Sequence, residues 1–177
     1  MTHYSVTMDS HTKYNTVSKS IPFFLGIIGL TVLAIQQGFS NILVSTIIVI
    51  TIFILISTYI ALYAFAPTEY ILTGTEFIIR RPAGLVRMLV SDIESINLVE
   101  SANFLNSLYS PIRKSGFFGY TGSMKIKNIR TNLYIKRVNN IILISTFQNG
   151  NILVSPDDII LAIELGEAII NNHSRPK

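Results

Sequence analysis

The sequence predicts an α+β chain: a two-helix transmembrane hairpin followed by an antiparallel β barrel or sandwich of about seven strands with a C-terminal helix. Three observations predict it. Nothing between Lys19 and Glu69 carries a formal charge, and most of that stretch is aliphatic or aromatic. From Glu69 onward the apolar residues fall into short β-branched and aromatic runs broken by glycine, proline and asparagine. After Ser155, apolar residues recur at helical spacing.

A bilayer core of roughly 30 Å needs about 20 apolar residues in helical form, so the uncharged stretch holds two passes and not three. The polar run from Gln36 to Asn41 divides it, with Gly38 as a helix stop and Ser40 or Asn41 as the next cap. The hairpin arms are therefore 21–37 and 42–66. A cleaved signal peptide fits poorly, because Ala34-Ile35-Gln36 is no small-x-small site. A buried helix pair of a soluble protein fits poorly too, because the second arm has no polar face. Its Ser45, Thr46, Thr51, Ser57 and Thr58 are types that a membrane helix satisfies by bonding backbone.

Residues 1–20 are polar and without sustained periodicity, and are expected as a flexible N-terminal tail, as are 174–177. His3 and His11 on such a tail make poor metal ligands. Lys13 and Lys19 precede the first arm and Arg80, Arg81 and Arg87 follow the second, while the loop between the arms has no basic residue. The positive-inside rule then places both termini in the cytoplasm and the chain in the cell (inner) membrane as a multi-pass protein. Tyr59, Tyr63, Phe65 and Tyr70 are expected at headgroup level, with Pro67 ending the helix. Hydrophobic residues make up 49% and charged residues 14%, the latter almost entirely outside the hairpin, so the chain divides into an apolar anchor and one domain, 67–173. The absence of cysteine excludes disulfides and thiolate chemistry.

Within that domain, 69–73, 75–81 and 85–90 read as a β meander turning at Gly74 and at Pro82-Ala83-Gly84, and 92–99 as a strand with a bend or two-sided burial. Residues 101–115 read as a loop. Gly116-Phe117-Phe118-Gly119-Tyr120-Thr121-Gly122 lacks the Lys-Ser/Thr of a phosphate loop, so its glycines are assigned to a bulge or close backbone approach with aromatics filling the space. Segments 124–129, 133–138, 141–147 and 151–154 read as strands, joined by hairpin turns at Asn139-Asn140 and Gln148-Asn149-Gly150. Ser155 then reads as an N-cap, with Pro156 at the first helical position, Asp157 and Asp158 in the first turn, and Ile159, Ala162, Ile163, Gly166 and Ile170 as the apolar face.

A strand opening on Tyr70-Ile71-Leu72-Thr73 after a membrane hairpin, the Asp92-Ile93 pair, the Gly-aromatic segment 116–122, an Asn-turn strand pair and Ser155-Pro156-Asp157 before a last helix form an ordered set. That set resembles the bacterial PH (pleckstrin-homology-like) domain membrane proteins over most of the chain after Ala66. Lys136 stands where the pattern expects Thr, and 101–115 has no matching pattern. The resemblance implies a PH-like domain at the inner face of a prokaryotic membrane.

No catalytic set accompanies it. All three histidines lie in terminal segments, and Asp92 with Glu94 and Asp157 with Asp158 have ordinary explanations on a strand face and in a helix's first turn. No enzyme, cofactor, metal or small-molecule substrate is expected. Basic residues are the better lead: Arg80, Arg81, Arg87, Lys125 and Lys127 are assigned to anionic lipid contact. Phe104, Leu105, Leu108 and Tyr109 are too apolar for a solvated loop, so they cover the barrel, enter the headgroup region or meet another chain; the expectation is a partner, either a second copy or another membrane protein. Nucleic acid is not expected, for want of a reading helix or stacking platform. The expected function is a membrane-anchored binding or scaffolding module. The alternative is an accessory subunit of a transport or envelope-assembly complex whose hairpin makes the main contacts.

Overall fold

Apolar residues on both sides of a strand demand cover on both faces, and that demand shapes the domain. The computed structural model describes residues 1–36, 42–99, 117–126, 129–147 and 150–173. In chain order these form β1 (Thr2–Ser5), α1 (Ser10–Gln36), α2 (Ile42–Ala64), β2 (Glu69–Leu72), β3 (Glu76–Arg81), β4 (Gly84–Leu89), a 3-10 turn (Val90–Asp92), β5 (Ile93–Val99), β6 (Tyr120–Ile126), β7 (Ile129–Ile135), β8 (Ile141–Thr146), β9 (Gly150–Val154) and α3 (Ile160–His173). The strands make a four-stranded sheet, β1-β2-β3-β4, and a five-stranded sheet, β5-β8-β9-β7-β6. The first is antiparallel, whereas the second is mixed because β7 and β9 run parallel. The α+β class therefore holds, with nine strands among the described residues instead of about seven. The sheets do not close into a barrel, since the Val90–Asp92 turn interrupts the ladder between β4 and β5.

The two sheets and α3 enclose the main core. Tyr70, Phe77 and Ile79 from the first sheet meet Ile142, Ile144 and Val154 from the second, under Leu161, Leu165 and Ile169 of α3. Ile141, Leu153, Leu133 and Ile135 point the other way and form a second cluster with Tyr120. Alternate residues of β8 and β9 thus serve opposite faces, which accounts for the unbroken runs Ile141-Ile142-Leu143-Ile144 and Ile152-Leu153-Val154. Of the helix face expected from Ile159, Ala162, Ile163, Gly166 and Ile170, the three isoleucines are exposed, while Ala162 packs against the core and Gly166 faces Ile96. The Leu161, Leu165, Ile169 stripe has the same helical spacing and reaches the core instead.

Four further expectations are corrected. Residues 1–20 are no tail: 2–5 pair with 72–69 as an edge strand, Tyr4 and Val6 are buried, and α1 starts at Ser10. Asp9 caps it, its carboxylate accepting from the Thr12 amide at 2.7 Å. Segments 124–129 and 133–138 are replaced by β6 and β7, because Ile129, Thr131, Leu133 and Ile135 alternate with Arg130, Asn132 and Tyr134 through the gap left between the two expected strands. Asn139-Asn140 is not a hairpin turn either. It belongs to a crossover, since β9 lies between β7 and β8, and Asn140 takes a left-handed φ of 55° there. Finally, Ser155 does not cap α3; Asp158 does, accepting from the Ile160 amide at 2.9 Å.

Both α1 and α2 are long and apolar enough to cross a membrane, and their most apolar windows are 0% and 6% buried. Ala34 and Ser45 are buried at one end of the pair, small residues of the kind that allow close backbone approach. Thr31, Thr46, Thr51 and Thr58 each donate to the carbonyl four residues earlier at 2.8–2.9 Å, so their hydroxyls need no solvent.

Candidate functional site

The end of α2 is fastened to the domain. Helix C-termini leave unpaired carbonyls, and here the Ala83 amide, in the β3-β4 turn, donates to the Ala64 carbonyl at 2.8 Å. Aromatic rings fill the junction. Tyr59 stacks on Phe23 at 5.4 Å and meets Phe24, Phe117 and Phe118 edge-on at 5.1–5.4 Å, while Tyr63 meets Phe118 at 5.3 Å. The Thr16 hydroxyl donates to the Phe117 carbonyl, bringing the first turns of α1 to the same point. Tyr59 and Tyr63 thus lie where α1 and α2 meet the domain. Tyr70 does not: it is fully buried in the core, because strand β2 turns it inward.

The Gly-aromatic segment supplies two of these rings, and Gly119 behind them fixes their path. Its φ is +113°, and a Cβ there would lie 2.3 Å from the Ile135 carbonyl oxygen. Gly122, at φ +129°, has open space in front of it. Gly122 is also among the residues that line a cleft of about 510 Å³ between α2 and the domain. Thr58, Ala61, Leu62 and Phe65 form its helical wall; Thr121, Ser123, Asn132 and Tyr134 form its sheet wall, with Arg81 between the two. The Arg81 guanidinium lies 5.5 Å from the Phe65 ring centre and 5.6 Å from that of Tyr134. Its Nε is buried without a hydrogen-bond partner. A second cleft, of about 480 Å³, carries Arg87 and Arg130 and shares Asn132 and Tyr134 with the first.

The five predicted lipid-contact residues therefore separate. Arg81 and Arg87 face the clefts, whereas Arg80 points away, exposed and 3.4 Å from the Glu69 carboxylate. Lys125 is exposed on β6 opposite Arg130. Lys127, Gly116 and the apolar set Phe104, Leu105, Leu108 and Tyr109 lie outside the described residues. Asn132 and Tyr134 are functional candidates that charge alone does not mark, although their period-two spacing with the basic Arg130 is the signal.

Ser155, Pro156 and Asp157 form a structural knot. The buried Ser155 hydroxyl accepts from the Lys136 amide at 3.0 Å and the Arg137 amide at 3.3 Å, and its own amide donates to the Tyr70 hydroxyl at 3.0 Å. Tyr70 in turn donates to the Tyr134 carbonyl, and burial pushes its hydroxyl pKa up. Pro156 is buried beside it. Asp157 accepts from the amide and hydroxyl of Thr7 at 2.9 and 3.0 Å and pairs with Arg137 at 2.9 Å. Asp9 makes a parallel tie, accepting from the Val138 amide at 2.8 Å. Burial alone would raise the Asp9 carboxyl, but the Val138 and Thr12 donors outweigh it and hold the pKa below 3.8.

The sequence model of one family, described as Bacterial PH domain, matches residues 68–163. No curated protein and no solved structure matches the chain.

Proposed function

Because the chain belongs to the bacterial PH domain family, we propose that it is a membrane-anchored, non-catalytic binding or scaffolding module, its hairpin in the cell membrane and its domain against the cytoplasmic face. One observation carries the reading. Strand β1 precedes the hairpin, β2 follows it, and the two are paired in register from Thr2↔Leu72 to Ser5↔Glu69. A strand ladder cannot run through a bilayer, so both strands lie on one side and the chain crosses an even number of times. The exposed aliphatic surfaces of α1 and α2 support the same placement, since water would not tolerate apolar faces of that extent. Lys13, Lys19, Arg80, Arg81 and Arg87 flank the spans on the domain side and favour the cytoplasm.

The experiment uses single cysteines, which the chain otherwise lacks. An impermeant thiol reagent on intact cells is expected to label Ser40→Cys between the arms and not the exposed Ser91→Cys in the domain. Labelling of Ser91→Cys alone would invert the orientation. Recovery of the chain in the soluble fraction after alkaline carbonate would end the membrane reading.

A further inference from the structure

We propose that the cleft around Arg81 seats the phosphate of a membrane phospholipid, with an acyl chain lying along the last turns of α2. This rests on the membrane reading above and adds to it a defined site and a ligand class. Four features point to that ligand. Among the described residues that line the cleft, every side chain is neutral except Arg81, and none is a carboxylate. Among the described residues no ion pair involves Arg81, and its Nε is desolvated without a partner, a costly arrangement for a guanidinium unless an anion completes it. The rings of Phe65 and Tyr134 hold the guanidinium, which lowers the entropy lost when an anion binds. The Ser123 hydroxyl accepts from Arg130 Nε at 3.1 Å, which leaves its own hydrogen to donate, and Asn132 adds an amide donor beside it.

The helical wall decides between a lipid and a free anion. Ala61, Leu62 and Phe65 are apolar and continue into the uncharged length of α2. Inorganic phosphate gains nothing from such a wall, whereas a diacyl lipid of the same leaflet presents its phosphate and first methylenes at that boundary. The volume, about 510 Å³, suits a headgroup with its glycerol.

The test uses the full chain in a neutral detergent, with bound ligand counted by native mass spectrometry. The probes are dioleoylphosphatidylglycerol, dioleoylglycerol, which lacks the phosphate, and inorganic phosphate, which lacks the chains. The phospholipid is expected to bind at least about tenfold more tightly than either of the others, and Arg81→Gln to weaken it about tenfold, the usual effect of losing a charge-assisted hydrogen bond. Arg80→Gln removes the same charge one residue away on the opposite side of β3, and is expected to change binding less than twofold. Ala61→Phe fills the cleft without altering charge and is expected to weaken binding as Arg81→Gln does; should Arg81→Gln fail to fold, this variant decides. Equal losses in Arg80→Gln and Arg81→Gln would show diffuse surface attraction and overturn the proposal. So would displacement of the lipid by equimolar inorganic phosphate, or unchanged binding in Ala61→Phe. Solubility after carbonate extraction would instead remove the membrane reading, an outcome read independently of any headgroup.

Discussion

Gly119 and Gly122 are three residues apart and share a backbone conformation that L side chains rarely adopt, yet a methyl group would meet different surroundings at each. At Gly122 only the dihedral strain remains, about 1–3 kcal/mol. At Gly119 the Ile135 carbonyl at 2.3 Å adds an overlap that only backbone movement relieves. Gly119→Ala is therefore expected to lower the melting temperature by more than Gly122→Ala, as followed by circular dichroism in detergent; the reverse order would refute the placement of the segment. Tyr70→Phe is a second test at this scale. The hydroxyl both donates to the Tyr134 carbonyl and accepts from the Ser155 amide, so its loss leaves two buried groups unpaired and should cost about 1–3 kcal/mol or more. The proton linkage of Asp9 has a definite sign. Its folded pKa lies below the ordinary 3.8, so its contribution is complete above that value and is lost as pH falls through the lower, folded one. Acid melting curves of the parent should thus fall more steeply below pH 3.8 than those of Asp9→Asn.

Among the elements, β1 tests whether the N-terminal segment belongs to the domain. Tyr4 and Val6 are both 6% exposed, and burying two such side chains stabilises by roughly 3–6 kcal/mol. Deleting residues 2–6 should lower the melting temperature by at least about 12 °C, at about 4–8 °C per kcal/mol. An unchanged transition would mean that β1 is dispensable. This strand was not legible in the sequence, because four residues beside a polar stretch have no periodicity of their own and acquire their role only from β2. The two long apolar helices were legible, since the length of an uncharged run is a local property. So was the β3-β4 hairpin, marked by Pro82-Ala83-Gly84. The parallel partnership of β7 with β9 was hidden for the opposite reason: which strand lies beside which leaves no mark in either strand's pattern. The candidate cleft shared that fate. Arg81 and Arg87 stood out by charge, but Asn132 and Tyr134 joined them only through the register of β7.

For the whole molecule, the ring cluster sets how firmly hairpin and domain are joined. Aromatic pairs contribute about 0.5–1.5 kcal/mol each beyond their buried area, and Tyr59 takes part in four of them. In the double variant Tyr59→Ala, Phe118→Ala, spin labels on cysteines at Ser18 and Ser91 should show a broader distance distribution by pulsed electron resonance than in the parent. The domain's own melting transition is expected to stay within a few degrees. An equally narrow distribution in both proteins would assign the coupling to the Ala83-Ala64 bond and the β1-β2 ladder instead.

The β1-β2 pairing also imposes an order in time. Ser5 leaves the ribosome well before Glu69, and at about 5–20 residues per second the intervening chain takes roughly 3–13 s to synthesise. Through that interval the first strand has no partner, while both apolar helices are made. The domain therefore cannot close until both apolar helices have been made, and until then Tyr4 and Val6 wait in solvent for a core whose other members have yet to be made.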